Sequence, residues 1–403
     1  MWALIVSLIV PSLIWGPFFP DLIISISSIF FLFYVFRHKL FFYFNKKPLI
    51  IFFIFCIYCI LVSIFIAKDR ILSFESSLFY FRIGVFACLI WYLIDQNKKI
   101  LFYFYYSLVV CFAVIIIDGY IQFFTGTNII GFSKSGVRLS SFFGDELILG
   151  SYLSRLFPLL FALFLLKKKK QQELYSMSIL FILMGGLIYI SGERAAFFLF
   201  ILSYMFIIFF IEKFVKLKIV LSVSILILIL VLTFNFSEVK NRMVSDPANT
   251  IKKSIFTPEH DSLIRTAYNM FLDKPIVGHG PKMFRIICKD EKYAVGSAPC
   301  LTHPHNFYVQ LLAETGIIGF SFLFGVFVYI LYCAYRQFKS IILRQKRYLT
   351  DYQVCLLAGI LITVWPLTTN GNFFHNWLMI IYSLPVGFYL HSIYGKNRKN
   401  ISF

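Results

Sequence analysis

The 403-residue sequence has few charged residues, and the acidic ones are the scarcest. Only 14% of its residues are Asp, Glu, Lys or Arg, whereas 60% are hydrophobic and the mean hydropathy is +0.81. Soluble domains have about 25% charged and 45–50% apolar residues, so a soluble enzyme is excluded. A disordered chain is excluded too, because disorder needs low hydrophobicity. The composition therefore predicts a polytopic membrane protein.

The sequence also lacks the motifs of several functional classes. It has no glycine-rich nucleotide-binding loop and no Ser-His-Asp hydrolase pattern, and its apolar runs contain almost no Asp or Glu. Proton- and sodium-coupled transporters typically rely on carboxylates within the membrane, so coupled transport is disfavoured. The first apolar segment has neither a basic n-region nor a small-residue cleavage site, and we expect an uncleaved helix there.

Apolar runs long enough to cross a bilayer recur along the chain. We predict an all-α polytopic membrane protein with about twelve transmembrane helices, although the shorter runs also allow ten or eleven. One membrane domain is expected, with helices 1–9 in residues 1–235, a large outer loop at 236–304, and a His motif at the membrane boundary with helices 10–12 in 305–403. The predicted spans are residues 2–16, 21–36, 48–67, 77–94, 100–117, 147–166, 174–190, 195–211, 219–235, 316–335, 352–369 and 377–394.

The surplus of basic residues, 38 Lys and Arg against 19 Asp and Glu, follows this topology. If the N-terminus is cytoplasmic, every second connection collects Lys and Arg, as the positive-inside rule requires, and both termini lie in the cytoplasm. The basic balance is thus mainly an insertion signal and weak evidence for nucleic acid. The inner segments contain Arg37 to Lys47, Lys98 and Lys99, Lys167 to Lys170, Lys213 to Lys218, Arg336 to Arg347, and Lys396 to Lys399.

The long connection at residues 236–304 has the composition of a soluble protein. Thr257-Pro258-Glu259 predicts the start of a helix in this loop. Glu259 and Asp261 have the spacing of a metal-binding acidic pair, but their place at a helix N-terminus favours capping. We therefore expect no metal at this pair.

Two of the eight cysteines, Cys288 and Cys300, also fall in the large loop, whereas the other six lie in apolar runs. An oxidising compartment outside the membrane would let the two loop cysteines form a disulfide. Two free thiols are the alternative.

Arginine concentrates on the outer side of the predicted topology, whereas lysine dominates the inner side. A guanidinium binds phosphate through two parallel hydrogen bonds, so this pattern suggests an anionic lipid-linked ligand. The alternative is that the uneven distribution of arginine arose by chance. Arg194, in Ser191-Gly192-Glu193-Arg194, lies between two predicted helices at the outer surface, where it is suited to bind an anion. The alternative is that Arg194 only marks the end of a helix and is neutralised by Glu193. Arg155 and Arg82 fall inside apolar runs, where each either contacts a ligand or snorkels to the interface.

Two histidines precede the tenth predicted helix, in Thr302-His303-Pro304-His305-Asn306. A histidine at the boundary between membrane and water is suited to act as a general base near neutral pH. Gly316 and Gly319 follow, and small residues let a helix approach its neighbours closely. This combination is more specific than a lone histidine.

These motifs resemble the O-antigen ligase and O-antigen polymerase superfamily of bacterial membrane glycosyltransferases. The stretch HPHNFYVQLLAETGIIGF looks like the signature of that superfamily and directly follows the largest predicted loop, as expected for it. Further similarity covers SGER (191–194), RTAYNMFLDKPIVGHGPKMF (265–284), RLSSFFGDELILGSYL (138–153) and PLTTNGNFFHNW (366–377).

The resemblance implies transfer of a glycan from undecaprenyl diphosphate to an acceptor at the periplasmic face of the inner membrane, with no metal or other cofactor. Arg194 and Arg265 match the arginines that bind the diphosphate. His305 matches the histidine that activates the acceptor hydroxyl, and only register with the signature favours it over His303. Further contacts to substrate are expected from Arg138, Arg155, Arg285, Asn306 and His303.

The leading hypothesis is an O-antigen ligase that attaches the glycan to a lipid A–core hydroxyl in lipopolysaccharide biosynthesis. The repeat-unit polymerase uses the same donor, and a protein O-oligosaccharyltransferase is third. A flippase of lipid-linked sugar is the alternative from another class, but it gives the His-Asn signature no role. The expected partners are the lipid-linked donor, the glycan acceptor and membrane lipid, and no nucleic acid.

Overall fold

The chain is all-helical in the computed structural model, which describes residues 2–167, 171–251, 256–396 and 403. Within these residues there are no strands, only two isolated β-bridges between residues 127 and 138. This agrees with the predicted fold class, because a helix satisfies its own backbone N–H and C=O groups where lipid cannot. Lys168 to Lys170, Arg398 and Lys399, which the sequence places in the cytoplasm, lie outside the described residues.

The helices follow one another with mostly short connections, except at residues 126–148 and in the outer loop (residues 236–304). They are α1 (Trp2–Ser7), α2 (Ile9–Ser12), α3 (Phe18–His38), α4 (Lys47–Phe65), α5 (Arg70–Leu78), α6 (Arg82–Gln96), α7 (Lys99–Thr125), α8 (Leu149–Leu166), α9 (Gln171–Ile190), α10 (Arg194–Phe210), α11 (Val215–Asn235), α12 (Ser237–Lys240), α13 (Asp246–Ile251), α14 (Pro258–Asp273), α15 (Phe284–Ile287), α16 (Phe307–Ile342), α17 (Asp351–Thr363) and α18 (Asn376–Tyr394).

Nine segments of the described chain are long and apolar enough to cross a membrane, and three shorter apolar helices accompany them. Each of the twelve predicted spans overlaps one of these segments. The number of crossings stays a prediction, because Trp2–Trp15, α10 and α17 are shorter than the roughly 20 residues that usually span a bilayer.

Three helices differ from their predicted spans by more than a few residues. Helix α7 continues to Thr125, eight residues beyond the predicted end at residue 117. The tenth span was expected to start at residue 316, whereas α16 starts at Phe307 and contains a break at Gly316. Its first turns include polar side chains, which an apolar pattern does not detect. The eleventh span was expected to end at residue 369, whereas α17 ends at Thr363. The apolar residues that follow lead into Pro366, and a proline disfavours helix in the residue before it.

Helix α8 lies at the centre of the bundle and contacts α9, α10, α17 and α18. Most of α8 is buried within the protein, whereas α11 is largely exposed and packs mainly on α9. The pattern places α11 at the edge of the bundle and α8, α10 and α17 in mutual contact.

The large outer loop contains the helix that its sequence predicts, α14. The Thr257 hydroxyl accepts a hydrogen bond from the His260 N–H at 3.4 Å and caps the helix. Leu263, Ala267 and Met270 are buried in a small core that also includes residues of α15 and α16. Farther along the loop, Cys288 and Cys300 form a disulfide with a Cα–Cα distance of 5.1 Å.

Two glycines let the outer loop pack backbone to backbone against α16. A Cβ on Gly278 (φ 69°) would lie 2.4 Å from the carbonyl carbon of Glu314, and one on Gly316 (φ 62°) would lie 2.2 Å from the carbonyl oxygen of Ile276. The Gly280 N–H donates to the Glu314 carbonyl at 2.7 Å. Any larger residue at either glycine would separate these segments. The break in α16 at Gly316 therefore allows the outer loop to pack closely against this helix.

Candidate active site

His305 lies just before α16 and has a left-handed backbone, with φ 55°. This conformation costs about 1–2 kcal/mol for a residue other than glycine, so the surrounding structure must hold it. The next residue, Asn306, caps α16: its Oδ1 accepts from the N–H groups of Tyr308 and Val309 at 3.0 and 3.1 Å. The structure thus gives Asn306 a positioning role beside His305, and its contact with substrate stays a prediction.

The loop between α17 and α18 holds the His305 segment from the other side. The Asn370 N–H donates to the His305 carbonyl at 2.8 Å, and the Asn306 amide donates to the Pro366 carbonyl at 2.8 Å. The motif PLTTNGNFFHNW therefore contacts the histidine motif directly, although some sixty residues separate them in sequence.

Arg155 supports this loop from within the bundle. It is only 6% exposed, so it does not snorkel to the interface. Its Nη2 donates to Asn370 Oδ1 at 3.2 Å, and its guanidinium lies 4.1 Å from the centre of the Tyr382 ring. Arg155 is thus connected to His305 through Asn370, and its predicted contact with substrate stays a prediction.

Three histidine rings meet at the start of α16. The His305 ring centre lies 4.1 Å from that of His303 and 5.4 Å from that of His260. His260 Nδ1 is 2.7 Å from the Thr257 hydroxyl, and His303 Nδ1 is 2.9 Å from the Thr302 hydroxyl. The sequence analysis named His303 and His305 but missed a role for His260, because only the docking of α14 on α16 brings it here.

Burial favours the neutral form of all three imidazoles. It lowers the pKa of His305, and the neighbouring His260 lowers that pKa further. The pKa of His260 is also lowered, mainly by burial. For His303, burial and nearby positive groups, including His305 and Arg285, lower the pKa to about 3. Since a base must be unprotonated to act, His305 is available near neutral pH, whereas His303 is a far weaker base.

Lys282 and Arg285 add positive charge beside the histidines. Arg285 acts electrostatically on both His303 and His375, and Lys282 acts on His375. In the part of the chain that the structure describes, Arg285 Nε and His303 Nε2 are buried without a hydrogen-bond partner. Unpaired buried nitrogens are uncommon in folded proteins, so this pair marks a candidate site for an anionic ligand.

A buried glutamate, Glu314, fixes the segment that carries Arg285. Its Oε1 accepts from the Phe284 N–H at 3.1 Å, and its Oε2 accepts from the Gln310 amide at 2.9 Å. The sequence analysis did not single out Glu314. The available signal was an acidic residue two positions before Gly316, inside an otherwise apolar motif.

Arg194 belongs to a second basic group, at the start of α10. Its Nε donates to the Arg242 carbonyl and its Nη2 pairs with Asp246 Oδ2, both at 3.0 Å. Arg242 Nε in turn donates to the Gly192 carbonyl at 3.2 Å. Arg242 is one of the outer arginines counted from the sequence, but no individual role was predicted for it, because nothing in its local sequence distinguishes it from other loop arginines.

Glu193 serves the neighbouring helix instead of neutralising Arg194. Its carboxylate accepts from the backbone N–H groups of Gly150 and Ser151, at 2.6 and 3.2 Å, at the start of α8. Arg138 lies in the same group: its Nη2 donates to the Leu147 carbonyl at 2.8 Å, and burial lowers its pKa. Arg138 Nε is another buried nitrogen without a partner among the described residues.

Two other predicted arginines have acidic partners. Arg265 is exposed on α14, and its Nε lies 3.3 Å from Asp261 Oδ2. Arg82 pairs with Asp21, with its Nη1 3.0 Å from Asp21 Oδ2, so an ion pair and not snorkelling accounts for its position. No group of three or more His, Cys, Asp or Glu side chains within the described ranges is arranged to hold a metal ion.

The O-antigen ligase family model matches residues 179–324. This part of the chain, called the ligase domain below, is similar to the O-antigen ligase family. This confirms the predicted superfamily. The ligase domain starts within α9, includes Arg194 and the whole outer loop, and ends within α16. It therefore contains the basic residues described around His305 and Arg194, except Arg138, Arg155 and His375. Members of the family are membrane glycosyltransferase-like enzymes. A search of curated proteins finds no match to the chain.

Proposed function

We propose that the protein is an O-antigen ligase-like glycosyltransferase that moves a glycan from undecaprenyl diphosphate to a lipid A–core hydroxyl. The reaction takes place at the periplasmic face of the bacterial inner membrane. The observation that supports it best is a histidine base, His305, packed beside two unpaired buried nitrogens, Arg285 Nε and His303 Nε2, within a ligase domain. Transfer from a diphosphate needs both a base for the acceptor and donors for the leaving group.

In this mechanism His305 takes the proton of the acceptor hydroxyl while the hydroxyl oxygen attacks the anomeric carbon with inversion. The bond from that carbon to the diphosphate oxygen breaks, and its electron pair leaves with the diphosphate. Arg194, Arg265 and Arg285 stabilise the resulting negative charge, as preorganised cationic groups do. Arg138 and His303 provide further contacts to the diphosphate or the glycan.

The mechanism is tested by transfer assays on the purified full-length protein with a lipid-linked donor. We expect His305→Ala and Arg194→Ala each to abolish transfer while the protein still inserts into the membrane. Wild-type transfer by both variants would contradict the mechanism. Activity should persist in EDTA, and a strict need for a divalent ion would direct attention back to Glu259 and Asp261.

The glycolipids of a deletion strain separate the ligase from its relatives. Long glycan stranded on the polyprenyl carrier indicates a ligase, whereas lipid A–core that bears single repeats indicates the repeat-unit polymerase. Loss of glycan from proteins alone indicates a protein O-oligosaccharyltransferase. Donor trapped on the cytoplasmic face indicates a flippase.

A further inference from the structure

The proposed reaction leaves a proton on His305 that has to depart before the next turnover. The ring of His305 has two imidazole neighbours, His303 at 4.1 Å and His260 at 5.4 Å between ring centres. Either neighbour is near enough, directly or through one water, to receive a proton.

His303 is poorly suited to receive it. Its pKa of about 3 means that on the order of one molecule in ten thousand is protonated at pH 7. The positive charge of Arg285 opposes a further positive charge on this ring, and a bound diphosphate would occupy the same place.

His260 is better suited for three reasons. It is only half-buried, at the first turn of α14, so solvent has partial access to it. Its Nδ1 is held 2.7 Å from the Thr257 hydroxyl, which fixes the ring. Finally, the negative charge of Glu259 on the same turn stabilises a proton there and raises the pKa of His260 against the effect of burial.

We propose that His260 is a relay residue that takes the proton from His305 after glycan transfer and releases it to water. This inference rests on the proposed function. The proton leaves one ring nitrogen of His305 and binds a ring nitrogen of His260, and a solvent molecule or buffer base then removes it, so both rings return to their neutral form. The charged or titratable groups around His260 are Glu259 on α14 and His305 on the facing segment.

The test compares His260→Ala and His260→Gln with the wild-type full-length protein in lipid nanodiscs, supplied with a lipid-linked glycan donor. We expect a kcat lower by roughly 10-fold, less than the 10²–10⁴-fold typical of a direct acid or base, with the donor KM unchanged. Added imidazole or a higher buffer concentration should restore the rate of both variants but leave the wild-type rate unchanged. His38→Gln, an exposed histidine at the end of α3, is the control and should behave as wild type.

A wild-type kcat in His260→Gln would overturn the relay, and so would a lower kcat that neither imidazole nor buffer restores. Loss of folding in His260→Ala leaves His260→Gln to decide, because glutamine retains the size and polarity of the side chain. Failure of the proposed function is recognised separately, since His305→Ala would then transfer glycan at the wild-type rate.

Discussion

The two basic groups at the outer ends of the helices differ in how their charges are satisfied. Arg194 pairs with partners in the protein itself, the Arg242 carbonyl and Asp246. Around His305, by contrast, Arg285 Nε and His303 Nε2 have no acceptor in the described structure. The group around Arg194 is therefore closed by internal partners except at Arg138 Nε, which is also buried without one, whereas the group around His305 is open to an anion.

The difference suggests that a ligand binds the two groups in different ways. A ligand can bind the open group without breaking any protein contact, whereas it must compete with Asp246 for Arg194. Because the Arg194–Asp246 pair is partly exposed, its strength is modest, about 0–1 kcal/mol, and a diphosphate with several charges can displace it. The predictions below test this contrast, from the largest expected effect to the smallest.

Replacement of His305 should have the largest effect. His305→Ala removes the proposed base, so we expect kcat to fall by about 10²–10⁴-fold with little change in the donor KM. His303→Ala should lower kcat less, because a group with a pKa near 3 contributes little as a base near pH 7. Steady-state transfer assays measure both values, and equal losses would show that the two histidines are not distinguished in this way.

Replacement of Arg285 should have the next largest effect. Arg285→Ala removes a guanidinium whose Nε has no acceptor among the described residues, and loss of one such donor typically costs about 10²–10³-fold in kcat. Arg285→Lys keeps the charge and should retain part of the rate. Lys289→Ala, an exposed neighbour in the same loop, is the control. An unchanged rate in Arg285→Ala would mean that the open group does not bind the leaving group.

Release of Arg194 should improve donor binding. Asp246→Asn removes the competing carboxylate. We therefore expect the donor KM to fall by up to about 5-fold, the fold-change that corresponds to the free energy of a partly exposed ion pair. Glu291→Gln removes an exposed acidic charge elsewhere in the outer loop and controls for net charge. A higher KM in Asp246→Asn alone would indicate that Asp246 orients Arg194 for the ligand instead of competing with it.

The pH dependence should be shallow on the acid side. An ordinary histidine pKa of about 6.5 predicts a roughly threefold fall in rate from pH 7 to pH 6. Burial and His260 lower the pKa of His305, so it remains neutral to a lower pH and the fall should be smaller. A profile of kcat against pH measures this, and a midpoint above 6.5 would contradict it.

Removal of the disulfide should affect stability more than rate. Cys288 and Cys300 connect the segment that carries Arg285 to the one that carries His303. Closing a loop of this length stabilises the folded state by about 3 kcal/mol. We expect the double variant Cys288→Ser, Cys300→Ser to lose outer-loop protection in limited proteolysis, with less than twofold change in kcat at low temperature. Proteolysis at the start of α10, near Arg194, should not change.

Much of the fold could be predicted from the sequence because it depends on local physics. A run of apolar residues must form a helix in lipid, and all twelve predicted runs coincide with helical segments. Thr257 caps α14 as expected, since capping involves residues within one turn. The helix ends at Phe307 and Thr363 were predicted less well, because polar first turns and a proline lie beyond what apolar length can detect.

The motifs named His305, Arg194 and Arg285 as site residues, but they carried no information about distant partners. Asp246 lies 52 residues from Arg194, and Asn370 lies 215 residues from Arg155. His260 and Glu314 were missed for the same reason, since their roles depend on how the outer loop packs on α16.

The sequence by itself determined that this chain is a multi-pass membrane protein and which superfamily it resembles, because apolar length and short motifs are local properties; the charge bias predicts the side of the outer loop. Only the tertiary structure decided which arginines are paired, which buried nitrogens are left without acceptors, and that a third histidine lies beside His305. Those features depend on contacts between segments that are far apart in the chain, such as the packing of α14 on α16 and the close backbone contacts at Gly278 and Gly316.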